Sequence, residues 1–242
     1  MQTRALMEAA IEVVEEEGVI DEPLLIDQKY WVVKESEKIE ALVRIIDMSP
    51  DFYGLVFTQT KMDADNVTKM LDLRGYSAAA LHGDIMQNQR EKVLERFRMK
   101  KTRILVATDV AARGLDIDDI DIVFNYDVPQ DEEYYVHRIG RTGRAGRSGK
   151  AFTFCVGKEI YKLRDIMRYT KTKIQQQKLP TLSDVEELKT RFFLEKIKGI
   201  IEEGHLTKYI HLVDRLMEEE YTSIDIAAAL LKKAPDSKLL IV

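Results

Sequence analysis

The chain has 242 residues, of which 45% are hydrophobic and 33% charged, with a formal net charge of −5 and a single cysteine. Such a composition supports a buried core. One cysteine excludes a disulfide framework and suits a reducing cytoplasm, and no run reaches the roughly 20 apolar residues of a membrane span. The charge is unevenly spread: residues 1–22 hold one basic and seven acidic side chains, 181–242 hold nine and twelve, and 23–180 hold 27 and 23. The positive excess therefore lies in the middle, and local density rather than the total governs phosphate binding.

In chain order, residues 4–17 read as a helix, with Ala5, Leu6, Ala9 and Val13 on one face and Gly18 as the stop. Asp21-Glu22-Pro23 is a linker. Tyr30-Trp31-Val32-Val33 is aromatic and β-branched, a strand whose Trp31 belongs in the core rather than on a base-stacking surface. Residues 36–48 carry the helical spacing Ile39, Leu42, Val43, Ile45, Ile46. Residues 54–58 form a short apolar strand of the buried parallel kind. A helix over 61–73 ends at Gly75, and strands at 76–81, 103–108, 121–125 and 151–156 follow, with a helix over 87–99. The run Asp131-Glu132-Glu133 opens another helix, where acidic residues suit the N-terminal pole. This alternation implies βαβ units, an α/β fold with a parallel sheet and helices on both faces. Ligands then meet the loops beyond the strand C-termini.

After Lys178 the pattern changes. Leu179-Pro180-Thr181 interrupts the chain, strands cease, and 184–203, 206–219 and 223–233 read as three amphipathic helices, a small all-helical module. The expected domains are a helix and linker over 1–26, the α/β domain over 27–178 and the helical module over 179–242. Sixty helical residues bury little core alone, so they should pack on the α/β domain or on a second copy. His205 and His211 lack a carboxylate or cysteine at ligand spacing, and no metal site is expected there.

Three strand-end loops carry chemistry. His137-Arg138-Ile139-Gly140-Arg141-Thr142-Gly143-Arg144 spaces arginines with glycines. Glycine costs about 1 kcal/mol against alanine inside a helix. At this density it lets a backbone approach a ligand, while guanidinium forks bind phosphate bidentately. Thr108-Asp109-Val110-Ala111-Ala112-Arg113-Gly114-Leu115-Asp116 begins at a strand end, where amide groups attract phosphate and Asp116 is able to accept from a ribose. His82-Gly83-Asp84 precedes Gln87 and Arg90, three apart on one helix face.

Together, and in this order, these segments resemble the C-terminal RecA-like domain of DEAD-box RNA helicases over about residues 27–178. Val56-Phe57-Thr58-Gln59-Thr60 resembles motif IV, Thr108 to Asp116 motif V, and His137 to Arg144 motif VI without a substitution. The resemblance implies that Arg141 and Arg144 are arginine fingers on the ATP γ-phosphate, that His137 couples to the other motor domain, and that Asp116 and Gly114 serve the nucleotide. It implies RNA contacts from Thr58, Gly83, Gln87, Arg90, Thr108, Asp109 and Arg113, mostly to the backbone. No G-x-x-x-x-G-K-[ST] and no Asp-Glu-Ala-Asp string occurs in the 242 residues. The phosphate cradle and the Mg²⁺-holding carboxylates are therefore expected on a preceding RecA-like domain, and the chain alone should not hydrolyse ATP. Residues 190–234 are similar to the dimerisation segment of the cold-shock DeaD group, which implies a homodimer. A non-catalytic RNA-binding module that dimerises through this tail is the other reading.

Overall fold

The computed structural model describes residues 26–49, 52–113, 117, 120–143 and 147–233. The helix expected over 4–17, its linker, Gly114, Asp116 and Arg144 lie outside the described residues. Among those described, seven strands form one sheet: β1 (Ile26–Val32), β2 (Gly54–Thr58), β3 (Ala78–Leu81), β4 (Ile104–Thr108), β5 (Ile122–Asn125), β6 (Gly149–Cys155) and β7 (Gln175–Gln176). Their order is β3-β4-β2-β5-β6-β1-β7, and every pairing is parallel. The helices are α1 (Lys38–Asp47), α2 (Lys61–Asp72), α3 (Gln87–Arg98), the single turn α4 (Asp109–Ala112), α5 (Glu132–Ile139) and α6 (Glu159–Thr170). The helical module contains α7 (Leu182–Glu203), α8 (Thr207–Met217) and α9 (Ser223–Lys233).

The expected α/β fold is observed, with two additions. Helix α6 follows β6, and β7 pairs with β1 as an edge strand. The strand expected at 30–33 begins earlier, at Ile26, because β1 pairs along its whole length with β6. Strand periodicity divides the core. Leu55, Phe57, Leu105, Ala107 and Val123 share one face with Leu94 and Phe97 of α3. The alternate positions carry Phe124, Phe152, Phe154 and Trp31 in edge-to-face contacts. Trp31 is buried, as expected, and its indole N–H donates to the Lys178 carbonyl at 3.2 Å. Cys155 is buried beside Tyr135, Leu163 and Ile166, and burial pushes its thiol up to about 12, which leaves it an inert core residue.

The described chain divides into two compact units. One holds the residues up to Ile39 and those from Phe52 to Lys178; the other holds 40–49 and those from Leu179 onward. In the second unit Thr181 and Asp184 form a reciprocal capping box at the start of α7. Lys189 pairs with Asp47 at 2.8 Å. Ile201, Tyr209, Ile210, Leu212, Ile224 and Leu230 are exposed on its three tail helices.

Candidate functional site

The site is built by register. Leu81 lies beside Ala107, Ala107 beside Phe57, and Phe57 beside Asn125. The four strands therefore end along one side of the sheet, at His82-Gly83, Thr108, Thr58 and Tyr126. Thr58 is buried there and its hydroxyl donates to the Thr60 carbonyl at 3.2 Å. A Cβ added to Gly83 meets nothing within 4 Å, and its φ is not positive. Neither backbone conformation nor packing within the chain asks for glycine at that position. Gln87 opens α3 and donates to Glu91 at 3.0 Å. Arg90 donates from Nη2 to the Ala111 carbonyl at 2.6 Å, fastening the His82–Arg90 segment to α4.

Thr108 caps α4 in an extended conformation with no side-chain capping bond. The carboxylate of Asp109, expected to face RNA, is instead held from within: Oδ1 accepts from Arg138 Nε at 2.6 Å and Oδ2 from Nη2 at 2.7 Å. The same guanidinium donates from Nη1 to Asn125 Oδ1 at 3.2 Å and to the Asp127 carbonyl at 2.8 Å, and it lies 4.9 Å from the Phe57 ring centroid. Arg138 is 2% exposed. It is thus the pin that joins the ends of β2, β4 and β5 to α5.

Helix α5 starts with the Asp131 carboxylate accepting from the Tyr134 amide at 2.9 Å and brings His137 and Arg138 into its last turn. His137 is exposed. A cavity of about 250 Å³ is lined by Phe57, Asp109, Arg113, Tyr134, His137 and Arg141, among others. The structure therefore brings together one end of the arginine row and the loop after β4, while Gly83 and Gln87 stand along the same edge toward β3. Gly143 carries a different lesson. Its φ is +71° and an added Cβ would stand 2.8 Å from Ile26 Cγ1, so packing and backbone conformation, rather than ligand approach, require glycine there. Thr142 next to it is buried, and its hydroxyl donates to the carbonyls of Ile120 and Asp121, fixing the chain as it leaves Arg141.

Two supports escape a reading of the sequence. Arg138 looks like one more member of the basic row. Lys38 looks like a solvent-facing residue at a helix start, yet it is 2% exposed, lies 2.6 Å from Asp127 and 3.1 Å from Glu35, and stands over the Tyr126 ring. Burial alone would depress its ammonium, but the hydrogen bond and charge of Asp127, joined by Glu35, outweigh it and raise the pKa. Asp127 in turn accepts from the Gln59 amide at 2.8 Å and so shapes the loop after β2.

A parallel sheet that sets an arginine-bearing helix end, which follows β5, against the loop after β4, in this order of segments, defines the C-terminal domain of a helicase motor. Residues 37–146 match the family described as the helicase conserved C-terminal domain, and 180–242 the RNA helicase DeaD dimerization domain. The chain is 44% identical over 215 residues to the DEAD-box ATP-dependent RNA helicase CshA of Geobacillus kaustophilus, covering 88% of this chain and 46% of that protein. It is similar to the crystal structure of a DEAD box protein from Methanococcus jannaschii, with 50% identity and a TM-score of 0.60 over 64% of this chain and 42% of that one. It is also similar to the C-terminal domain of the DEAD-box protein Dbp5, with 31% identity and a TM-score of 0.62 over 68% of this chain and 96% of that one. The chain belongs to the DEAD-box RNA helicase family. It spans about half the length of the curated relatives it matches.

Proposed function

We propose that this chain supplies the arginine-bearing half of an ATP site in a cytoplasmic, ATP-dependent RNA helicase, and that a second RecA-like domain supplies the other half. The observation that carries this reading is the cavity shared by Arg113, His137 and Arg141 at the strand ends. Guanidinium groups on one wall suit a phosphate chain, whose charge they offset as the γ-phosphoryl group transfers, and the His137 imidazole stands beside them as a hydrogen-bonding group. Arg141 and Arg144 are assigned to the γ-phosphate, His137 to coupling with the other domain, and Asp116 and Gly114 to the ribose side. Among the described residues no group of three or more His, Cys, Asp or Glu side chains converges, and Mg²⁺ is assigned to the partner domain.

RNA is assigned to the edge formed by Thr58, Gly83, Gln87, Arg90, Thr108 and Arg113. Gly83 supports this because the chain itself gives no reason for a glycine there, whereas a phosphate backbone approaching closely does. Asp109 serves this edge by positioning, through Arg138. Nucleotide and RNA together close the two motor domains, bending one strand away from its partner. The test is ATP hydrolysis: this chain alone should show none above buffer, and joining it to the preceding domain should give hydrolysis that RNA stimulates. Turnover by the isolated chain, or none by the joined protein, would refute the assignment.

Residues 27–178 are assigned to the motor and 179–242 to dimerisation. The exposed Ile201, Tyr209, Ile210, Leu212, Ile224 and Leu230 support the second assignment, since so many large apolar side chains left in water on three helices fit a contact surface. Light scattering should give twice the 28.0 kDa chain mass. Removing the residues after Lys178 should return the monomer value; a monomeric intact chain would rule the homodimer out.

A further inference from the structure

We propose that the outer face of α6 is a second RNA-binding surface, separate from the strand-end edge and resting on the RNA-helicase reading above. Residues 158–178 contain seven basic and two acidic side chains, in a chain whose net charge is −5. Leu163 and Ile166 turn inward to the core shared with Tyr135 and Cys155. The opposite stripe carries Lys158, Tyr161, Arg164 and Arg168 and continues into Lys171, at helical spacing. All five are exposed. Fourteen positions at about 1.5 Å each make a track of roughly 20 Å.

Ordinary helix chemistry accounts for only part of this. Arg168 and Lys171 suit the C-terminal pole of α6, but Lys158 stands at the N-terminal pole, where a cation is unfavourable. Of the two acidic residues, Asp165 pairs with Arg168 at 2.8 Å and Glu159 accepts from the Val156 amide at 2.7 Å. Among the described residues no carboxylate pairs with Lys158, Arg164 or Lys171, nor with the flanking Lys162 and Lys173. The surface helices α2 and α3 mix both signs along their length. The Arg164 guanidinium lies 5.7 Å from the exposed Tyr161 ring centroid. A cationic row with an outward aromatic–guanidinium pair fits a phosphate backbone and one stacked base better than it fits an acidic peptide, which has no ring to stack.

Its place in the fold says how it is used. Helix α6 leaves the sheet at the C-terminal end of β6, so the track begins on the same edge as the strand-end loops. Between β3, which precedes Gly83, and β6 lie four strand spacings, about 19 Å. A short RNA held at Gly83 and Arg90 does not reach Lys158, whereas a longer strand does.

The experiment measures RNA affinity of the full-length protein by fluorescence anisotropy across a salt series. It uses single-stranded RNAs of roughly 4 and roughly 30 nucleotides, the first at the lower limit of a single-strand site and the second well above it. Replacing Lys158, Arg164 and Lys171 with glutamine should weaken binding of the long RNA about tenfold and lower its salt slope by about 2, at roughly 0.7 per lost phosphate contact. Binding of the short RNA should not change. Tyr161→Ala should weaken the long RNA without altering the slope. Long-RNA affinity and slope equal to those of the parent would overturn the inference while leaving the RNA-helicase reading intact. A parent protein that binds neither RNA would overturn that reading and this inference with it.

Discussion

Replacing Arg141 with alanine in the full-length protein should lower RNA-stimulated ATP turnover by about 10³- to 10⁵-fold, the range over which an arginine finger acts. RNA affinity should stay within about threefold, because interactions made only in the transition state do not contribute to ground-state binding. The expectation rests on position. Gly140 ends α5, and Thr142 anchors the next residue to the Ile120 and Asp121 carbonyls. Arg141 is therefore the side chain held between two fixed points at the cavity wall. Arg141→Lys separates charge from shape: a lysine restores the positive charge but not the planar fork, so it should recover only part of the loss. Turnover of the alanine variant within tenfold of the parent would remove Arg141 from the site.

The strand ends were legible in the sequence because buried parallel strands leave a plain mark, and Gly54–Thr58 and Ile104–Thr108 carry it in nearly every side chain. The loops after them were legible for the same reason: once the strands are known, the edge that meets ligands follows. Helix α6 has a readable pattern in Ile160, Leu163, Ile166 and Met167, but it stands after the last strong strand, where the alternation gives no prompt to look for it. Strand β7 has no such mark. Gln175 and Gln176 have little intrinsic preference for a strand, and only the free edge of β1 makes them one. The partners of Arg138 are invisible for a deeper reason. Asn125 closes an apolar strand and Asp109 opens a helical turn, and nothing local in either marks it as a receptor for a guanidinium. They meet because register places the ends of β4, β2 and β5 side by side. A row of arginines therefore reads as uniformly ligand-facing from spacing alone, and only the fold shows that one member faces inward.

That inward arginine gives the second large effect. Arg138→Ala should destabilise the motor domain by about 3–5 kcal/mol, the usual result of removing one partner from a buried ion pair. The side chain of Asp109 is 21% exposed and that of Arg138 only 3%. The alanine variant would therefore leave a largely enclosed carboxylate without its two donors, and Asn125 and the Asp127 carbonyl would lose a donor each. In a domain of this size the melting temperature should fall by on the order of 10 °C. Arg138→Lys should be nearly as damaging, since an ammonium cannot present the fork that Asp109 engages through both oxygens. Asp109→Asn leaves the still more deeply buried guanidinium without its counter-charge and with one acceptor oxygen in place of two, so it should cost about as much as Arg138→Ala. The decisive comparison is the pair of variants combined. If the bidentate contact carries the effect, Asp109→Asn together with Arg138→Ala should be no less stable than Arg138→Ala alone, because the stranded charge is gone. Strictly additive losses would mean that Arg138 stabilises the domain through packing on Phe57 instead, and a melting temperature for Arg138→Lys within about 2 °C of the parent would mean that the pin does not hold the strand ends at all.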